Sequence, residues 1–203
     1  MRVYTNLVET RQKEGWKRSM EQWQNKKFRV FFILTLAAGI GLAAEGIVFS
    51  YSIWKICRYL ILVMALFQIA WIDQRSKRIP NKILKILLAV RVMILLPEWL
   101  AVPELGMAIL ISSVFGALIG GGIFLLAHFI SKGGVGMGDV KLFAVIGFYV
   151  GNGSIMAAAF LSVMAGAVYS ITMLLFKKIK LKEEIPFAPF IFVGTILTMA
   201  LGM

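Results

Sequence analysis

Long apolar stretches are the feature that most limits what this chain can fold into. Seven of them follow one another, and the short segments between them are mostly basic. A membrane-crossing helix needs about 20 apolar residues, and in lipid its backbone groups must bond within the helix. The stretches therefore predict an all-α, polytopic integral membrane protein with about seven transmembrane helices, six being the alternative count. The hydrophobic fraction of 60% agrees, since soluble domains are about 45–50% apolar.

The fifth apolar stretch is unusually short. The first two stretches share residues 30–72, with a junction expected between 49 and 58, and the others are predicted at 83–102, 107–130, 140–150, 155–176 and 187–203. The fifth would give about 16 Å of helix, whereas the hydrocarbon core is about 30 Å thick. Either that helix extends through residues 151–155, or the bilayer thins, or the start of the helix is recessed in a wet cavity.

Positive charge falls in the gaps between the apolar stretches. Of the 22 Lys and Arg residues, eight lie in 1–29, five in 73–85, two in 131–141 and four in 177–184. Basic loops mark the cytoplasmic side of a membrane protein and favour anionic lipid of the inner leaflet. We therefore predict a cytoplasmic amino terminus and a cell-membrane location. Residues 1–29 are predicted to be a basic cytoplasmic arm, and residues 30–203 a transmembrane domain. Nucleic acid is not an expected partner, because no basic, aromatic-rich domain is present.

Several residues depart from this simple pattern. The acidic connection 97–106 is expected outside, and Arg58, which then lies near the outer face, is expected to snorkel towards water. Arg91 falls within the third stretch and is expected to face a cavity or to pair with an acid. His128 is interpreted as the donor or acceptor of a structural hydrogen bond. Gly116, Gly120 and the pair Gly121–Gly122 have the spacing of a helix-packing face.

The chain has two aspartates, Asp73 and Asp139, and each lies at the end of an apolar stretch. Loop charge places both on the cytoplasmic side. An ionisable residue at membrane depth indicates a functional site. Two neighbouring carboxylates share one proton, so that one can act as a base and the other as an acid. One histidine and one cysteine make a metal site improbable, and this chemistry needs no cofactor.

The segments around these aspartates contain turn-forming residues. Glycines precede Asp139 and allow close backbone approach, prolines stiffen two helix starts, and Asn81 is a possible cap of the third helix. A purely structural interpretation stays open at each position. Asp139 could only cap the fifth helix, and the two prolines at 186 and 189 could only begin the last helix. The residues that we expect to bind substrate or shape these loops are Pro80, Asn81, Gly136, Gly138, Lys141, Pro186, Phe187 and Pro189.

Three motifs in this order resemble the type IV prepilin peptidases, which are membrane aspartic proteases of the Gly-x-Gly-Asp kind. They are Asp73 with Ile79–Asn81, the run Gly136–Leu142, and the run Ile185–Phe190. The resemblance covers roughly residues 57–195. It implies a membrane endopeptidase that hydrolyses the basic leader of prepilin-like proteins at the cytoplasmic membrane face, with Asp73 and Asp139 as the catalytic residues and a membrane-anchored prepilin as the partner.

The match departs from the family pattern in two places. Ala188 stands where many members have glycine, and the four-cysteine segment of the larger, methylating enzymes has no counterpart here. Methyl transfer is therefore not expected, and the short enzymes of tight-adherence (Flp-type) pili are the closer likeness. Two alternatives remain open. The first is a non-enzymatic assembly factor or small-solute carrier with a two-Asp polar path, and the second is a presenilin-like peptidase that cuts within the bilayer.

Overall fold

The computed structural model describes residues 26–132, 134–177 and 185–202, which form seven α-helices. These are α1 (Lys26–Val48), α2 (Ile53–Ser76), α3 (Asn81–Ala101), α4 (Pro103–Ile130), α5 (Met137–Val150), α6 (Asn152–Leu175) and α7 (Ala188–Ala200). No strand occurs within the described ranges, and the all-α prediction is confirmed. The chain separates into two units, Met1–Ala37 and Ala38–Met203. All the predicted site residues belong to the second. Of the predicted basic arm, residues 1–25 lie outside the described part.

Each predicted apolar stretch corresponds to one helix, and the protein is a polytopic membrane protein. Four of the described helices are by themselves long and apolar enough to cross a membrane, namely α1 from Phe28, α2, α4 and α6. The last helix, α7, is apolar but has only 13 residues. The third, α3, is long enough but has charged side chains at Lys82, Lys85, Arg91 and Glu98. The described residues therefore contain seven helices, of which four individually meet the requirement for crossing a membrane.

One connection between helices agrees with the prediction and another differs from it. The chain between α1 and α2 turns at Phe49–Ser52, inside the predicted interval. Helix α3 continues through Pro97 to Ala101, close to the predicted end at 102, and only Val102 separates it from α4. The predicted connection at 97–106 is therefore wrong in extent, because all of its residues except Val102 are helical.

The fifth helix remains short in the structure. It begins at Met137 and has 14 residues, about 21 Å of helix. It ends at Val150 because Gly151 has φ +89°, a left-handed conformation that glycine adopts without strain. The alternative in which this helix extends through residues 151–155 is therefore wrong. A locally thin bilayer and a recessed start remain the two explanations.

Glycine allows α4 and α5 to approach closely, and these two helices make the most extensive helix–helix contact among the described residues. A Cβ atom at Gly116 would clash with the carbonyl oxygen of Gly147, and one at Gly120 with the carbonyl oxygen of Phe143. Backbone atoms cannot move aside as side-chain ends can. The predicted packing face is confirmed at Gly116 and Gly120 but is wrong at Gly122, where a Cβ atom would meet open space.

Two matched substitutions in α4 test this packing. We expect Gly116→Ala to lower the free energy of unfolding by about 1–3 kcal/mol, the usual cost of overpacking. A Cβ atom at Gly122 would meet no atom within 4 Å. Gly122→Ala should instead raise the free energy by up to about 1 kcal/mol, because alanine is the better helix former. Unfolding of both variants in one detergent measures the difference, and equal midpoints would contradict the close α4–α5 contact.

A buried ion-pair cluster joins α2, α3, α4 and α5, and we call it the Arg58–Glu98–Arg91 cluster. The Glu98 carboxylate accepts from Arg58 at 2.9 Å and from Arg91 at 2.6 Å. Arg91 is fully buried and also donates to the Phe148 carbonyl oxygen at 3.1 Å and to Ser113 Oγ at 2.9 Å. The expectation that Arg91 pairs with an acid is confirmed. Arg58 is 9% exposed, so the prediction that it snorkels is wrong, because Glu98 gives it a buried partner.

Candidate active site

Asp73 lies in the last turn of α2 and is 5% exposed. Its Oδ2 atom accepts a hydrogen bond from the backbone N–H of Ala188 at 3.0 Å, and the backbone N–H of Phe187 also donates to this carboxyl group. Both donors stand at the beginning of α7, where a helix carries partial positive charge. Burial of a carboxylate is unfavourable unless donors replace its water. The start of α7 supplies those donors.

The sequence of the third motif explains why these amides are free. The first N–H groups of a helix have no partner within the helix. Pro189 has no N–H to offer, and the N–H of Phe190 already bonds the Phe187 carbonyl oxygen at 3.0 Å. The amides of Phe187 and Ala188 remain for Asp73. Pro186, Phe187 and Pro189 are predictable site residues, whereas the backbone donors are not recognisable from side-chain identity. The paired prolines are the one sequence signal that points to them.

Asp139 lies in the first turn of α5, three residues after the N-cap residue Gly136. It is partly exposed. The backbone N–H of Gly136 donates to its carboxyl group, as in a capping box. A Cβ atom at Gly136 would lie 3.0 Å from Asp139 Oδ2, so the glycine leaves this carboxyl group unobstructed. The structural alternative for Asp139 is thus partly correct, because the residue does bond the start of its own helix.

The two aspartates lie close enough to act on each other electrostatically. Asp139 precedes the apolar part of α5, which begins at Val140. Burial, together with the charge of Asp73, raises the pKa of Asp139 from 3.8 to about 6, against the opposing effect of the Gly136 amide. A pair of this kind holds a proton up to about pH 6, where an isolated carboxyl group would already have released it.

The loop after Asp73 lies against the loop before Asp139. A Cβ atom at Gly138 would lie 3.1 Å from the Cβ atom of Ile79, so glycine permits this approach. Nearby, Lys141 Nζ donates to Asn81 Oδ1 at 3.4 Å. The prediction that Asn81 caps α3 is wrong. Pro80 takes the N-cap position in an extended conformation, and Asn81 is the first residue of the helix. The Asn81 side chain instead faces Lys141.

The glycine-rich loop is held at its other end by α4. His128 Nδ1 lies 2.6 Å from the carbonyl oxygen of Val135, which makes it the donor in this bond. The N–H of Val135 donates in turn to Ser131 Oγ at 3.2 Å. The interpretation of His128 as a structural hydrogen-bonding residue is confirmed. Its role is to fix the loop that ends at Gly136, three residues before Asp139.

Aromatic rings and an apolar groove border the site. The Phe187 ring centre lies 6.2 Å from that of Phe124 and 6.4 Å from that of Phe143. A groove of about 650 Å³ opens between α3, α4 and α5, with Asn81 and Lys141 among its lining residues. The structure therefore brings all three predicted motifs to one place. Among the described residues no group of three or more His, Cys, Asp and Glu side chains could hold a metal ion.

Comparison with known families decides the identity of this arrangement. A family model described as the type IV leader peptidase family matches residues 60–171, more than half of the chain. The chain belongs to this family. It is also 35% identical, over 164 residues, to the prepilin leader peptidase/N-methyltransferase of Bacillus subtilis (strain 168), in an alignment that covers 79% of the chain and 61% of that relative. No solved structure matches the chain.

The leader peptidase match covers the two aspartates and the first two motifs. The third motif, residues 185–190, lies beyond the matched range but within the resemblance predicted at 57–195. Its contact with Asp73 in this structure joins it to the same site. The family predicted from the three motifs is confirmed, while the chain spans less than two thirds of the length of the Bacillus subtilis relative.

Proposed function

We propose that this member of the leader peptidase family is a membrane aspartic endopeptidase that removes the leader of prepilin-like proteins. The observation that carries the proposal is the electrostatic pairing of Asp73 with Asp139, the only aspartates of the chain. The Bacillus subtilis relative is named for leader peptidase activity, which supports this substrate class. Family membership favours the proposal over a carrier or assembly factor and over a presenilin-like peptidase.

The pair provides one base and one acid. Two backbone amides donate to the Asp73 carboxyl group and so favour its charged form. We therefore assign the shared proton to Asp139, whose pKa is raised to about 6. Asp73 accepts a proton from water as the water oxygen attacks the scissile carbonyl carbon, and Asp139 protonates the carbonyl oxygen. Asp73 then passes its proton to the leaving nitrogen while Asp139 recovers one from the diol, which breaks the C–N bond. Each carboxyl group returns to its starting state.

The substrate is expected to approach within the plane of the membrane. A prepilin-like protein has an apolar helix, which would lie along exposed apolar helix surfaces, and its leader would then reach Asp73 and Asp139 at the helix ends. We place this end on the cytoplasmic side because the loops 73–82, 131–139 and 177–185 are all basic. Labelling of Lys77→Cys and Lys132→Cys variants, in a Cys57→Ser background, from each side of the membrane would establish the orientation.

A cleavage assay tests the proposed function. The purified chain is mixed with a prepilin-like protein, and the position of the cut is determined by mass spectrometry. We expect a single cut between the leader and the apolar helix, and none with an Asp73→Asn/Asp139→Asn double variant. A cut within the apolar helix would instead indicate the presenilin-like alternative. Absence of any cut by a folded wild-type protein would refute the peptidase proposal.

The raised pKa of Asp139 predicts an acid-shifted activity. Because the reaction needs Asp139 protonated, cleavage should fall about tenfold for each pH unit above the pKa of about 6. Initial rates of leader removal between pH 5 and 8.5, with saturating substrate, measure this dependence. A rate that keeps rising up to pH 8.5 would contradict the assignment of the proton to Asp139.

Protein stability provides a control that does not depend on turnover. The pKa of Asp139 is higher in the folded protein than the ordinary value of 3.8, so the folded state binds more protons between the two values. The stabilisation from this proton is complete below pH 3.8 and is lost as the pH rises through about 6. Asp139→Asn should remove this part of the pH dependence of the melting temperature, whereas Glu104→Gln, at an exposed position, should not.

A further inference from the structure

A second cavity lies beside the Arg58–Glu98–Arg91 cluster. It has a volume of about 240 Å³, and its lining includes Arg58, Ser112, Ser113 and Gly151 together with apolar side chains such as Ala108. Arg58 and Asp73 both lie on α2, about 22 Å apart along the helix axis. The cavity is therefore separate from the candidate active site, and the proposed function makes no use of it.

The guanidinium group of Arg58 is only partly satisfied, although it lies 5.3 Å from the Tyr59 ring centre and bonds the Tyr59 side chain. Glu98 contacts it through Nη1 alone, at 2.9 and 3.3 Å. Its Nε atom is buried and has no hydrogen-bond partner among the described residues. Nε and Nη2 form the edge of a guanidinium group that binds carboxylate or phosphate through two parallel hydrogen bonds. A buried and unpaired N–H is unfavourable, so an acceptor oxygen that reached this edge from the cavity would be favoured.

The charge and the other donors at the cavity favour an anion. Two arginines and one glutamate leave the cluster with one excess positive charge. The Ser113 hydroxyl accepts from Arg91 Nη2 and so keeps its own proton to donate. Gly151 is the N-cap residue of α6, and the positive end of that helix adds to the attraction.

We propose that this cavity binds a phosphate group, supplied either by a phospholipid headgroup or by free inorganic phosphate. The Nε–Nη2 edge of Arg58 would donate two parallel hydrogen bonds, and Ser113 a third. The cavity has room for roughly eight waters at about 30 Å³ each, enough for a phosphate group with part of a glycerol. Its apolar lining near Ala108 suits the carbon atoms of such a ligand.

Thermal unfolding of the full chain in an uncharged detergent tests the proposal. Inorganic phosphate, phosphatidylglycerol and phosphatidylcholine are titrated separately, with sodium chloride matching ionic strength. Phosphate or phosphatidylglycerol should raise the melting temperature by about 5–10 °C at a hundredfold excess over Kd. Phosphatidylcholine, whose headgroup charge is balanced, should have a smaller effect. Protection by phosphatidylglycerol alone identifies a lipid ligand, whereas protection by both probes identifies the phosphate group as sufficient.

Two variants distinguish this site from general charge effects. Arg58→Lys keeps the charge that faces Glu98 but lacks the two-donor edge, and it should weaken the apparent affinity at least tenfold. Arg75→Lys, at an exposed position on the other end of α2, is the matched control and should behave as wild type. Ala108→Phe fills the cavity without changing an ion pair and should abolish the protection. No protection of wild type by either probe, or full protection of a folded Arg58→Lys or Ala108→Phe protein, would overturn the proposal.

Discussion

Replacing Asp73 by asparagine is expected to lower the rate of leader cleavage by about 10³-fold or more, and Asp139→Asn should do the same. A positioned general acid or base contributes about 10²–10⁴-fold, and neither amide can exchange the required proton. Asparagine has nearly the size of aspartate, and its carbonyl oxygen can still accept from Phe187 and Ala188. The loss should therefore appear in kcat with little change in KM. Time courses of leader removal with equal amounts of each enzyme measure it.

The pattern across the variants is as informative as the size of the loss. Because the two carboxyl groups act as a unit, the double variant should be hardly slower than either single one. Glu104→Gln, the same chemical change at an exposed site, should leave the rate within about twofold, as surface substitutions usually do. Retention of more than a tenth of wild-type activity by either single variant would exclude the dyad mechanism.

Much of this arrangement could be predicted because it depends on local pattern. Apolar stretches of helical length predict seven helices wherever lipid is the solvent, and the structure has a helix at each stretch. The charges of the loops placed Asp73 and Asp139 on one side without reference to packing. The glycines at 136 and 138 were expected to allow close approach, and both do so, one beside the Asp139 carboxyl group and the other beside Ile79.

Other parts of the site depend on contacts that leave no local pattern. The bond from the Ala188 amide to Asp73 joins residues 115 positions apart, and a backbone donor has no side-chain identity to be recognised. A structural hydrogen bond of His128 was predicted, but the sequence could not show that its partner is the Val135 carbonyl oxygen. Glu98 was misplaced for a physical reason, because an acid beside Pro97 and Trp99 has the composition of an outer loop. Only its two arginine partners show why it is buried.

Replacing Glu98 by glutamine is expected to destabilise the protein by about 3–5 kcal/mol, the usual effect of removing one partner from a buried ion pair. Glu98 is 4% exposed, and its carboxylate neutralises part of the charge of Arg58 and Arg91. Glutamine keeps the size and one acceptor oxygen but leaves two buried cations without an acidic partner. Since domains are stable by only about 5–15 kcal/mol, such a loss should be evident in any unfolding assay.

Denaturant unfolding in mixed micelles, followed by tryptophan fluorescence, measures this difference. Glu104→Gln again serves as the control, because it removes one negative charge from the same part of the chain at an exposed position and should change stability by less than about 1 kcal/mol. Phosphate added to Glu98→Gln should restore part of the lost stability if the neighbouring cavity binds it, since the anion would then supply the missing negative charge. A Glu98→Gln protein as stable as wild type would show that the cluster contributes nothing to holding α2, α3 and α4 together.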